Sequence, residues 1–569
     1  MIPDPDPAGQ VLCLPSWIPG SYLVRDFAKH VIEVHAHGDS GEAAVHRVDK
    51  RTIRCDAVSG PLLVEYTVHA FDSSVRKAYL DERRGFFNGS SLLYLPQGKE
   101  DQPCQLELRR PPDSAFADWR AATGLTPDQV DAAGFGVYRA ANYAELIDHP
   151  VEIGAFEQLP FDVDGIPHAV VLSGRYRVDA DRLKTDLTAI CAAQRELFGG
   201  EPPLDRYLFL TNVVGSGYGG LEHRNSCALI CSREDLPRDD GPRDKRYRGF
   251  LGLCSHEYFH LWNVKRIRPQ AFAESDLAAE AYTRDLWHYE GVTSYYDNLF
   301  LRRAGLIDDQ EYLDLLAADA TRVQRTPGRA VQSLADASFE AWTKFYQPDS
   351  NTPNATVSYY VKGALAALCV DLHLRVHAGQ SLDAAMRLLW ERNGRDGTPV
   401  PEGGLEAIIV ELAGENAPPL DEWLRGTGEL PLAELLAEFG IEATRRAATS
   451  ATDEGGATQA PALRGYTGLV LRGAHVALVR SGTTGQLAGL SGGDELVAID
   501  GVRCGANAQK LLDALRAGQC VEVHYFRDDE LHRCSLHVTD APQDTWVLRP
   551  AEADEAQRAR RAAWLGRAE

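Results

Sequence analysis

The sequence predicts a multidomain α+β protein: a β-sandwich-like N-terminal domain, a mainly helical central domain and a small β-rich C-terminal module. Three observations carry the prediction. The chain has 569 residues, more than one hydrophobic core supports, so roughly two to four domains are expected. The period of the apolar residues changes from strand-like to helical near Arg177. Residues 446–462 (RAATSATDEGGATQAPA) are small and polar, which is the composition of a linker.

The elements follow in order. Residues 1–165 form the first predicted domain. Segments such as Arg54–Val68 and Ser91–Pro96 set β-branched and aromatic residues between Gly, Pro and Asp, and long helical patterns are absent. Residues 166–450 form the second. Val178–Phe198 has helical spacing, with Leu183, Leu187, Ile190 and Leu197 near one face. Arg206–Val214 and Cys227–Cys231 read as strands, and helices are expected over about 246–267, 284–304, 308–325, 357–378, 382–393, 403–413 and 431–438. A linker over 451–462 leads to a module at 463–540, built of short strands with one helix near Ala506–Arg516. The charged stretch 541–569 is predicted to be a tail, an exposed helix or a frayed end.

Composition narrows the function classes. A net charge of −23 repels phosphate backbones, so no nucleic-acid partner is expected. The 11 cysteines are scattered without a C-x-x-C pair, which fits a reducing compartment and cysteines used as small apolar residues. No run approaches the ~18–20 apolar residues that span a bilayer, so no membrane partner is expected. Met1–Gln10 has acids and prolines where a secretory leader would be basic and then apolar. The expected location is cytoplasmic, and the glycosylation-type triplets at Asn88 and Asn354 are read as incidental.

The informative word is H-E-x-x-H at His256, Glu257 and His260. Two histidines four apart share one helix face, so both imidazoles can reach one zinc ion. Glu257, beside the first, can contact the metal's water without being a ligand. Zinc acidifies that water, and a carboxylate can accept its proton and pass it to a leaving amine. The apolar flanks Phe250–Cys254 and Leu261–Trp262 suit a buried site better than a solvated surface helix. A catalytic zinc needs a third ligand and an open position. Glu290, within D-L-W-H-Y-E-G-V-T-S-Y-Y (Asp285–Tyr296), is the leading candidate, and His288 and Asp297 are its rivals.

The pattern W-x-x-E-G-x-x-x-Y-Y downstream of H-E-x-x-H resembles the gluzincin peptidases. With G-Y-G-G-L-E-H-R-N-S (Gly217–Ser226), Y-V-K-G (Tyr360–Gly363) and S-W-I-P-G-S-Y-L-V-R-D-F (Ser16–Phe27), the chain resembles the glycyl aminopeptidase family over nearly its whole length. The resemblance implies a thermolysin-like catalytic domain and one Zn²⁺ per chain on His256, His260 and Glu290, with Glu257 as general base. It implies that Glu222 holds the substrate's free α-amine, beside Gly219 and Gly220 where the backbone approaches the substrate closely. It also implies that Tyr360 donates to the tetrahedral oxyanion, with the adjacent Tyr359 an open alternative. Peptides with a free N-terminus, Gly or Ala first, are the implied substrates. The interval between His260 and Glu290 is longer than in the related alanyl-type enzymes, so pocket shape does not transfer.

Ala488–Gly501 (AGLSGGDELVAIDG) resembles a PDZ domain, with alternating Leu496, Ala498 and Ile499 after a Gly-Gly-Asp turn. Gly465, Tyr466, Gly468 and Leu469 would then lie in the loop whose amides bind the C-terminal carboxylate of a peptide or protein partner. Two other readings stay open: a PDZ-containing scaffold with an inactive metal site, and a metalloendopeptidase that uses the PDZ domain to present substrates.

Overall fold

The structure is a computed structural model that describes residues 1–200, 204–238, 241 and 243–566. The chain divides into two compact units, Met1–Ala281 with Trp390–Pro401, and Tyr282–Leu389 with Glu402–Glu569.

The first unit opens with antiparallel sheets. One pairs Val11–Cys13 with Thr52–Cys55, another pairs Val31–Gly38 with Leu63–Val68, and a third pairs Val151–Gly154 with Arg84–Phe87. A five-stranded mixed sheet follows, in the order Glu157–Val163, Ile166–Gly174, Tyr207–Val214, Ser226–Ser232, Gly219–Glu222. Its central pairs are parallel. Helix Ala180–Leu197 supplies the crossover that a parallel pair requires, and it buries Leu183, Leu187, Ile190 and Leu197 as the spacing predicted. The boundary expected at 165/166 is corrected: it falls in the tight turn of the hairpin Glu157–Val163/Ile166–Gly174, whose two strands belong to this one sheet.

The second unit is mainly helical. Thr293–Arg303, Asp309–Gln324, Val361–His373, Leu382–Leu389, Gly404–Ala413 and Leu432–Ala437 lie where helices were expected. Strand Ile441–Arg446 then pairs antiparallel with Thr545–Pro550, Arg446 opposite Thr545. Between these partners the chain leaves to build a six-stranded antiparallel sheet with its own core, including Val476, Leu496, Ile499, Val523 and Leu536. The helix expected near Ala506–Arg516 is the short Ala508–Asp513.

Two expectations fail here. Residues 541–569 are not a free tail. They contribute strand Thr545–Pro550 and helix Glu555–Leu565, whose Trp564 is fully buried and donates from Nε1 to the Tyr295 hydroxyl at 2.9 Å. Residues 567–569 lie outside the described residues. Nor is 451–462 a bare linker throughout. Asp453 pairs with Arg446 at 2.6 Å, and the Gly456 N–H donates to the Trp546 carbonyl at 2.9 Å. Composition reports that a segment has no core of its own, not that it lacks a surface to dock on.

Candidate active site

Helix Lys245–Phe259 begins at Asp244, whose carboxylate caps the Tyr247 N–H. Phe250, Leu251, Leu253, Cys254, Tyr258 and Phe259 anchor it in the core. The His256 and His260 rings then stand 4.7 Å apart at 85°. His260 Nδ1 lies 2.8 Å from the Asn263 carbonyl oxygen. An imidazole that donates from Nδ1 keeps a lone pair on Nε2, the form that binds a metal. This partner was not legible beforehand, because the helix expected to reach 267 stops at Phe259. The chain turns with Val264 at φ 113. A β-branched residue there is a costly conformation, about 1–3 kcal/mol, of the kind that persists at functional sites. Here it accompanies the turn that carries the Asn263 carbonyl to His260.

Strand Gly219–Glu222 is the edge of the five-stranded sheet and packs against this helix. Glu222 is buried, and its Oε1 has no hydrogen-bond partner among the described residues. Ligand atoms of Glu222, Glu257 and His260 lie within 4.8 Å of one another. Carboxylates buried that close repel each other unless a cation joins them.

Two glycines set this arrangement. A Cβ on Gly220 would sit 2.1 Å from Glu257 Oε1, so the space expected to admit substrate is filled first by the Glu257 carboxylate. Gly219 is more open, the nearest atom to an added Cβ being Ile230 Cγ2 at 3.9 Å. Gly20, at φ +86, faces Glu222: an added Cβ would lie 2.4 Å from each carboxylate oxygen. Sequence reasoning missed Gly20. Its signal is the Pro19–Gly20 step, which marks a turn but not what the turn faces. The neighbouring Ser21 hydroxyl accepts from Arg25 at 2.6 Å and Arg76 at 3.0 Å, and Arg76 reaches the Gly220 carbonyl at 3.5 Å. The N-terminal segment thus forms a wall beside Glu222.

In the second unit, Glu290 is buried on a π-turn, Trp287–Val292, that runs into helix Thr293–Arg303. Such turns widen a helix locally and recur at functional positions. This helix meets Val361–His373 at Gly291, where an added Cβ would lie 2.7 Å from Gly363 Cα. That contact explains the glycine of Y-V-K-G. Tyr360 is half-buried, with its hydroxyl 3.4 Å from that of Tyr346. Tyr359 is wholly buried, and burial, then the Tyr346 phenol and Glu290, hold it well above the usual phenol range. Tyr359 is therefore a core residue, and Tyr360 is the phenol with an open side.

Among the described residues of the first unit, Glu222, Glu257 and His260 bring ligand atoms within 4.8 Å of one another, and the His256 ring stands beside that of His260. Glu290 and its rivals His288 and Asp297 belong to the second unit. Burial pulls His288 down to about 3, so it stands as a neutral ring stacked on Tyr289 at 4.2 Å. Two imidazoles and one carboxylate are the donor set of a catalytic zinc with a fourth position left open, and the tautomer fixed on His260 fits it. In the six-stranded module, Gly465, Tyr466, Gly468 and Leu469 line a shallow groove with Arg480, whose Nη1 lies 3.5 Å from the Tyr466 hydroxyl.

The fold and the H-E-x-x-H helix define a zinc metallopeptidase. The sequence model of the M61 glycyl aminopeptidase matches residues 249–366, and that of the peptidase M61 N-terminal domain matches residues 1–155. The crystal structure of an aminopeptidase N family protein from Idiomarina loihiensis is 38% identical, covers 99% of this chain and 96% of its own, and superposes with a TM-score of 0.94. This chain belongs to the M61 glycyl aminopeptidase family, and its activity is of the aminopeptidase class. An M1 zinc metallopeptidase from Deinococcus radiodurans is 13% identical over 75% of this chain and 88% of its own, with a TM-score of 0.48. No protein of curated description matches the sequence.

Proposed function

We propose that this chain removes N-terminal residues, Gly and Ala foremost, from peptides with a free α-amine, using one zinc ion held by His256, His260 and Glu290. The observation that carries the reading is the buried cluster of Glu222, Glu257 and His260, whose ligand atoms lie within 4.8 Å of one another, beside the His256 ring. When bound, zinc acidifies a water and polarises the scissile carbonyl. Glu257 takes the proton of the attacking water and delivers it to the leaving amine. Glu222 anchors the substrate's ammonium, which supplies the cation its buried, unpartnered oxygen lacks. Tyr360 donates its hydroxyl proton in a hydrogen bond to the developing oxyanion. The Gly219–Glu222 edge leaves backbone groups to which an extended substrate can add as a strand.

Metal content and hydrolysis of glycyl-, alanyl- and N-acetylglycyl-anilides test the reading together. Glu257→Gln should keep zinc and lose about 10²–10⁴-fold in kcat. Glu222→Gln should keep zinc and chiefly raise KM for free-amine substrates. Loss of zinc in Glu222→Gln would instead make Glu222 a ligand, and turnover of blocked peptides would make the enzyme an endopeptidase.

For the module at 463–540 we infer a PDZ-type domain that takes a peptide C-terminus. The groove of Gly465, Tyr466, Gly468 and Leu469 beside the Arg480 cation supports that reading. Binding of labelled C-terminal peptides, lost in Arg480→Glu and on amidation of the peptide, tests it.

A further inference from the structure

A chain of net charge −23 nevertheless gathers Arg224, Lys265, Arg266, Arg268 and Arg395 around one cavity of about 250 Å³, with Asp396 as the acid at its rim. The matching of these charges is incomplete. Lys265 pairs with Asp148, Nζ to Oδ1 at 2.7 Å. Arg266 donates to the Arg224 and Leu261 carbonyl oxygens at 3.0 and 2.8 Å, which fix its guanidinium at the cavity wall. Arg224, Arg268 and Arg395 are exposed at the rim and enter no ion pair among the described residues. Asp396 is occupied in part by the Thr398 N–H, at 3.0 Å.

Burial, and then the Arg224 charge, lower Arg266 to about 9. Cations so collected repel one another, and a concave cationic surface concentrates anions. Guanidinium forks match planar or tetrahedral oxyanions in geometry as well as charge.

The cavity borders the peptidase machinery in the chain. Arg224 is two residues beyond Glu222, so their Cα atoms are at most ~7 Å apart. The Lys265 N–H donates to the His260 carbonyl at 3.1 Å. An extended di- or tripeptide spans about 7–10 Å, a distance of the same order.

We propose that this cavity is an oxyanion-binding subsite, which takes the C-terminal carboxylate of a short peptide or, in the same chemistry, a free anion such as phosphate. Occupied by the carboxylate, it would favour peptides of two or three residues over long chains. The substrate form rests on the aminopeptidase reading; the anion site itself does not.

The experiment uses the full-length, zinc-loaded enzyme and its Arg224→Gln/Arg268→Gln/Arg395→Gln variant, with zinc content and melting temperature as checks on folding. KM is measured for triglycine and for its C-terminal amide, and inorganic phosphate is titrated by calorimetry. The substrate form predicts that amidation raises KM about tenfold or more in the wild type, and that this discrimination disappears in the variant. Phosphate binding lost in the variant, with no effect of amidation, would assign the free-anion form. No effect of amidation and no phosphate binding by the wild type would overturn the proposal, as would either effect persisting undiminished in the folded variant. Glycyl anilide, which has no carboxylate, separates the two readings: a wild type that fails to cleave it defeats the aminopeptidase reading, while the phosphate titration still decides the cavity.

Discussion

Glu222 and Glu257 each lie against a glycine whose added Cβ would displace the carboxylate. Gly220→Ala would drive a methyl group into Glu257 Oε1, 2.1 Å away. Zinc should be retained and kcat should fall by at least tenfold, because a base displaced by an ångström loses its alignment with the water. Gly20→Ala acts on the other carboxylate, at 2.4 Å, and also strains a φ of +86. It should raise KM for glycyl and alanyl anilides with a smaller change in kcat. Equal losses in both parameters for both variants would mean general disruption, not two separate roles. That the His256 and His260 rings stand side by side was legible in the sequence because helical periodicity forces i and i+4 side chains onto one face. Gly20 was not, since its partner lies about two hundred residues away and only tertiary structure supplies the contact.

Among the elements, the H-E-x-x-H helix is braced by a strand. His168, on Ile166–Gly174, accepts at Nε2 from the Tyr258 hydroxyl at 3.1 Å while Nδ1 bonds the Ile166 carbonyl at 2.9 Å. Both bonds fit a neutral ring, and burial pulls His168 down to about 4 from an ordinary 6.5, against the Ile166 carbonyl. The native state therefore refuses a proton that the unfolded chain accepts below pH 6.5. Stability should fall as pH drops from 6.5 towards 4, by up to about 3 kcal/mol from this group. Urea unfolding across that range would test it: His168→Gln should be less stable at pH 7 but flatter with pH. Helix positions were largely readable from periodicity, as at Ala180–Leu197. Helix ends were not. The H-E-x-x-H helix has an apolar pattern that continues through Leu261 and Trp262, yet the backbone turns there. The pattern reports burial, which a buried turn satisfies as well as a helix does.

At the level of the molecule, the charged C-terminus is a structural part. Trp564 packs against Tyr312 and Phe439 and is fully buried. Trp564→Ala should cost about 3–5 kcal/mol, measurable by denaturant unfolding. Composition hid this because one tryptophan among arginines and alanines decides the docking. The composition of 446–462 did announce a change of architecture, but not that the chain would come back. Because Arg446 and Thr545 are register partners, residues 447–544 can be replaced by a two-residue Asn-Gly turn. The shortened protein should fold and cleave glycyl anilide, and failure to fold would show that the six-stranded sheet is structurally required. In the other direction, the module is tethered by two contiguous leads that depart from and arrive at the same doorway. A stop codon placed before it also strips away the final strand and the Trp564 helix. Any phenotype of such a shortened gene would confound the loss of an appendage with the collapse of its host, whereas an internal deletion separates them.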